Sequence, residues 1–144
     1  MKLMKTAILA TVAFGLSVSA HAQVEVKEDP GRTSYRILYL KLEDGKWDRF
    51  EEIVKTYNEI TVDAGQTPAT IMHMNSGDWP IMVMIPMAGG MAEMDYDTSP
   101  SDAKWRNAGI KKLGSKDALQ ALDKEMGEII ANSTSELGHT HAPK

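Results

Sequence analysis

The chain has 144 residues, a formal net charge of −4 and no cysteine. That length is one ordinary domain's worth, and the missing cysteines exclude disulfides. The acidic balance lacks the concentrated basic surface that phosphate binding requires, so no nucleic-acid partner is expected.

Lys2 and Lys5 precede an almost uncharged stretch, Thr6 to Val18, and Ala20-His21-Ala22 then offers small residues where a signal peptidase inspects the chain. Residues 1–22 therefore read as a cleavable export signal, which directs the protein to the periplasm or the medium. The apolar run is about 13 residues, short of the roughly 20 that span a bilayer as a helix. No later segment is long and apolar enough, so no membrane association is expected once the signal is gone. Residues 23–33 are polar, contain Pro30-Gly31, and read as a flexible arm. Residues 34–144 read as a single domain.

Ser34 to Leu42 is rich in β-branched, aromatic and aliphatic residues and predicts a strand. Glu43-Asp44-Gly45 is a turn, with Asp44 placed to cap a helix over about residues 46–64. That helix carries Trp47, Phe50, Ile53, Val54, Tyr57, Ile60 and Ala64 in one stripe, and Gly65 stands where a left-handed cap ends it. Ala69 to Met74 and Pro80 to Met87 predict two strands around the turn-forming Asn75-Ser76-Gly77-Asp78-Trp79. Ser99-Pro100-Ser101-Asp102 opens a helix that Gly114 closes, and Ser115 opens another expected to reach about Asn132. Its stripe is Leu119, Leu122, Met126, Ile129 and Ile130. Ser133 to His141 is either a short last strand or a disordered end. Lys111-Lys112, the densest basic spot, reads as a solvated helix face.

This order predicts an α+β domain of ferredoxin-like βαββαβ type. Helices should cover one face of an antiparallel sheet, with an extra helix between the third strand and the last helix. Yet the strands are apolar on both faces. Leu38, Leu40 and Leu42 alternate with Tyr35, Ile37 and Tyr39, and Ile81, Val83 and Ile85 alternate with Met82 and Met84. One helical layer shields one face, so a second copy of the chain is expected on the other, making a homodimer.

The run Tyr35 to Leu42, the helix Trp47 to Ala64 and the hairpin Ile71 to Met87 with Gly77-Asp78-Trp79 resemble the dimeric α/β-barrel superfamily. The stretch from Gly89 to Gly114 is longer than that pattern's usual connection. The resemblance implies sheets paired face to face, with a cavity between sheet and partner or sheet and helices. Members include cofactor-free monooxygenases, haem-handling proteins and isomerases, so the fold does not choose a chemistry.

Seven methionines (72, 74, 82, 84, 87, 91 and 94) crowd one segment. Thioethers favour Cu(I), but Met also fills irregular apolar space. On a strand Met72 and Met74 share a face while His73 points away, so the three do not chelate one ion. A hairpin loop with an odd number of residues unites Met72 and Met74 with Met82 and Met84, and a two-residue loop separates them. We favour the united face as the lining of an apolar cavity. Tyr39, Met72, His73, Met74, Trp79, Met82 and Met84 are thus the candidate ligand-binding residues. His139 and His141 share a face if the tail is a strand, and such a pair could bind a metal, although a solvated tail is simpler. Asp95-Tyr96-Asp97 lacks the ligand count of a calcium site. No hydrolase triad, P-loop or dinucleotide fingerprint is present. No catalytic residue, metal set or cofactor is assigned. The leading expectation is an exported homodimeric binding or assembly module with a small apolar ligand. The alternatives are a cofactor-independent monooxygenase or isomerase using Tyr39, His73 or Trp79, and a Met-rich copper-binding protein.

Overall fold

The computed structural model describes residues 31–142, so the expected export signal and the arm up to Pro30 lie outside it. In chain order come β1 (Arg32–Leu42), α1 (Trp47–Asp63), β2 (Thr70–His73), β3 (Ile81–Pro86), a 3-10 segment (Gly90–Asp95), α2 (Pro100–Leu113), α3 (Lys116–Ile129) and β4 (Ile130–His141). The strands form one antiparallel sheet in the order β2-β3-β1-β4. This is the ferredoxin-like arrangement, with α2 inserted ahead of the last helix.

Local chemistry accounts for most element ends. Ser99 accepts from the Asp102 N–H while the Asp102 carboxylate accepts from the Ser99 N–H, a reciprocal cap, with Pro100 in the first turn. Ser115 caps α3 by accepting from the Ala118 N–H. Gly65 and Gly114 follow α1 and α2 with φ of +69° and +87°, values that exclude most side chains. Asp44 does not cap α1. The helix starts one turn-closing step later, after Lys46, whose N–H donates to the Glu43 carbonyl, and no side chain caps it.

Two boundaries differ from expectation by more than one residue. β1 begins at Arg32, inside the segment read as a flexible arm, because Arg32 and Thr33 pair with His141 and Thr140. α3 stops at Ile129, short of Asn132, and Ile130 is already extended. The tail is a strand that pairs with β1 from Arg32↔His141 to Leu42↔Ile130, with a register shift between Lys41 and Leu42. Asn132, Ser133, Thr134 and Ser135 are weak helix formers. The backbone of β1 offers them a ladder instead.

Core packing lies on one side of the sheet. Leu40, Ile81 and Val83 meet Phe50 and Ile53 of α1 and Ile129 of α3. Leu38, Leu42, Ile71, Val54, Tyr57, Leu122 and Met126 pack around them. α2 comes close because Gly109 has no side chain: a Cβ there would sit 3.1 Å from both Leu119 methyls. Among the described residues no helix is long and apolar enough to cross a membrane.

Candidate functional site

The β2–β3 ladder pairs Met72 with Met82, Thr70 with Met84 and His73 with Ile81. The hairpin pivots on Gly77, at φ +92°, and a bond from the Met74 N–H to the Pro80 carbonyl extends the ladder. Residues directly opposite share a face, so Met72, Met74, Met82 and Met84 lie together. Across β3 the same face continues through Tyr39, opposite Met82, and Ile37, opposite Met84. It then reaches Thr134 and Glu136 of β4. Tyr39 meets Trp79 with ring centroids 6.5 Å apart, and the Lys41 ammonium lies 5.3 Å from the Trp79 ring centre. Met72, on the edge strand, and Met74, just past its end, are 43% and 39% exposed, so the patch stands open to water at this border. The united face is therefore present, and among the described residues no helix lies over it.

His73 is the exception. It lies on the helix-facing side, its ring 4.9 Å from Trp47. There it lines a broad groove of about 670 Å³ between α1 and β2, together with Lys55, Glu59 and Lys112. Tyr39 and Trp79 sit on the far side of the sheet, so one subunit cannot converge all three residues on a substrate. Met72, His73 and Met74 likewise do not meet at one point. Lys112, from the basic spot on α2, pairs with Glu59 and Asp63, both at 3.2 Å, and these carboxylates raise its pKa.

A cleft of about 320 Å³ lies between sheet and helices, where the core stops short of α2. Leu38, Ile71, Val83 and Ile85 form its floor, and Val54, Tyr57, Trp105 and Met126 its roof. Its polar rim is largely bonded to itself. The Trp105 indole N–H donates to Thr61 Oγ1 at 3.0 Å, and Thr61 donates to the Tyr57 carbonyl at 2.8 Å. Gln66 donates to the Ser101 carbonyl at 2.8 Å, and the Ser101 hydroxyl donates to Glu93 at 2.6 Å. The Tyr57 hydroxyl donates to Asp123 at 2.8 Å. Burial first, and then that bond, hold the phenol protonated well above its ordinary range. Arg36 also lines the cleft. Among the described residues its guanidinium has no hydrogen bond or ion pair, which makes it the cation open to a ligand.

None of the candidate ligand-binding residues Tyr39, Met72, His73, Met74, Trp79, Met82 and Met84 lines this cleft. Its polar residues come from β1, the end of α1, the 3-10 segment and α2, so no local motif joins them. One signal was available: Arg36 stands in the same strand phase as Leu38 and Leu40, a charge on the face that builds the core.

No protein-family model matches the chain, and no curated protein does. Among solved structures, a NIPSNAP family protein of unknown function from Agrobacterium tumefaciens superposes with a TM-score of 0.50 at 12% identity, over 81% of this chain and 96% of that one. A second NIPSNAP family protein from that bacterium gives 0.47 at 16% identity, over 74% and 90%. An uncharacterised NIPSNAP domain protein from Burkholderia xenovorans gives 0.40 at 16%, over 73% and 91%. The first likeness shows a common fold, in agreement with the α+β architecture above. At such identities it says nothing about a ligand or a reaction.

Proposed function

We propose that the protein is an exported homodimeric binding module that takes up a small, mainly apolar ligand. One observation carries the reading. The sheet is apolar on both faces, the helices cover one of them, and that covered side still leaves an apolar cleft unfilled. A second copy, related by a twofold axis, supplies the same apolar surface in return and shields Ile37, Tyr39 and the methionines. The cleft suits a compact hydrocarbon or aromatic body, and Arg36 at its margin favours an acidic group on that body. The N-terminal signal supports export.

Native mass spectrometry of the protein purified from its own compartment tests all three parts. The expected result is a dimer of chains lacking residues 1–22, with a retained small organic molecule. Ala69→Phe projects a ring into the cleft and should release that molecule while leaving the dimer intact. A single subunit at high concentration would end the pairing, and ligand retention by the Ala69→Phe protein would end the assignment of the cleft.

A further inference from the structure

The last strand carries a feature that neither the cleft nor the open face uses. His139 and His141, two apart on β4, place their Nε2 atoms 3.2 Å from each other, with the rings nearly perpendicular at 83° and centroids 4.8 Å apart. Both side chains are exposed on β4, an outer strand of the sheet. We propose that this pair is a two-imidazole chelate for a divalent transition-metal ion of the Zn2+ and Cu2+ class.

The geometry carries the assignment. Imidazole nitrogens bind such ions at about 2.0–2.1 Å, so nitrogens 3.2 Å apart subtend an angle of roughly 100° at an ion seated between them. That angle lies between the square and tetrahedral values these ions adopt. The strand supplies the preorganisation. Side chains two apart emerge on one face, and β4 is held along its length by β1, with Ser34 opposite His139 and Arg32 opposite His141. Little conformational freedom is then lost on chelation. In the ion's absence one ring donates an N–H to the other. On binding, both rings carry their proton on Nδ1 and present bare Nε2 lone pairs.

Selectivity follows from what surrounds the pair. Among the described residues no three His, Cys, Asp or Glu side chains gather to hold a metal, so β4 provides two nitrogens to the ion. Hard ions such as Ca2+ and Mg2+ need several oxygens, and among the described residues no cluster of three carboxylates supplies them. The nearby charge of Arg32 opposes any ion held by electrostatics alone, which leaves those that imidazole binds by donation. A site with open coordination positions suits an exchangeable ion. The inference depends neither on the dimer nor on the cleft.

Titration calorimetry of the untagged, metal-free chain with Zn2+, and electron paramagnetic resonance with Cu2+, test it. One equivalent per chain is expected, and the Cu2+ spectrum should show splitting from two equivalent nitrogens. His139→Ala and His141→Ala should each weaken binding at least about tenfold, since loss of a mere supporting group already costs that much at metal sites. His73→Ala should bind as the parent does. Unchanged affinity in the two β4 variants, or a parent spectrum without nitrogen splitting, would overturn the site. Both residues are exposed, so circular dichroism of the variants should match the parent.

Discussion

Met72 lies directly opposite Met82 in the β2–β3 ladder, on the sheet face turned away from the described helices. The pair stands at the β2 end of an apolar strip that runs on through Tyr39 and Ile37. A charge placed there meets water in a lone subunit and is stranded when two sheets close on each other. Met82→Lys should therefore leave the fold intact and weaken self-association by at least about 2 kcal/mol, some thirtyfold. Analytical ultracentrifugation across a concentration series reads this as a shift from two subunits to one. Parent and variant sedimenting alike would show that this strip is not the contact.

Tyr57 bridges the cleft roof to α3 through its bond to Asp123. Tyr57→Phe should lower stability by about 1 kcal/mol, the usual net worth of such a bond. Its alkaline behaviour is more telling. The phenol's pKa is raised in the folded protein, while an unfolded tyrosine ionises near 10. Its stabilising effect is then complete below about pH 10 and declines as pH climbs towards the folded value, because only the unfolded chain loses the proton there. Denaturant midpoints between pH 9 and 11 should fall faster for the parent than for Tyr57→Phe.

Arg49 joins α1 to α3 by gripping both oxygens of Glu125 at 2.6 and 2.7 Å, and it reaches Glu52 as well. The hydrogen bond from Arg49 lowers the Glu125 pKa, so this pair contributes above the ordinary glutamate range of about 4.3 and is lost as pH falls through the folded value. Arg49→Met should flatten the acid limb of the stability profile below pH ~4.5, where unpaired glutamates titrate. Added salt should erase most of the difference between parent and variant near neutrality, since both groups are well exposed.

Gly109→Val tests the closeness of α2 to α3. Leu119, which faces this glycine, is only 2% exposed, so it has no open space to swing into. Overpacking of this kind costs about 1–3 kcal/mol. Urea unfolding of the variant should show a lower midpoint with an unchanged slope. A midpoint equal to the parent's would mean that the helices separate freely.

Periodicity made much of the molecule legible. β1 announces itself through a run of aromatic and aliphatic residues, and α1 through a stripe that delivers Phe50, Ile53 and Ile60 to the core. The caps at Ser99, Ser115 and Gly114 were readable because each rests on one residue's own chemistry. β4 was not, because Asn132 to Ser135 bury little and are held by pairing with β1, a partner about ninety residues away in sequence. The hairpin register was equally open until the turn at Gly77 set it. The cleft escaped for a different reason: it is space left over between packed elements, and Arg36, Gln66, Glu93 and Trp105 acquire a common purpose only once those elements meet.

The strand that completes the sheet also returns the backbone to where β1 starts. The Ala142 N–H donates to the Gly31 carbonyl at 2.7 Å, so the two ends of the described chain leave by one corner. A few added residues would join them into a ring, and new termini could then be opened at the Gly77 tip. Anything fused before Gly31 or after Ala142 would emerge as a neighbour of the other, beside the histidine edge and away from the hairpin.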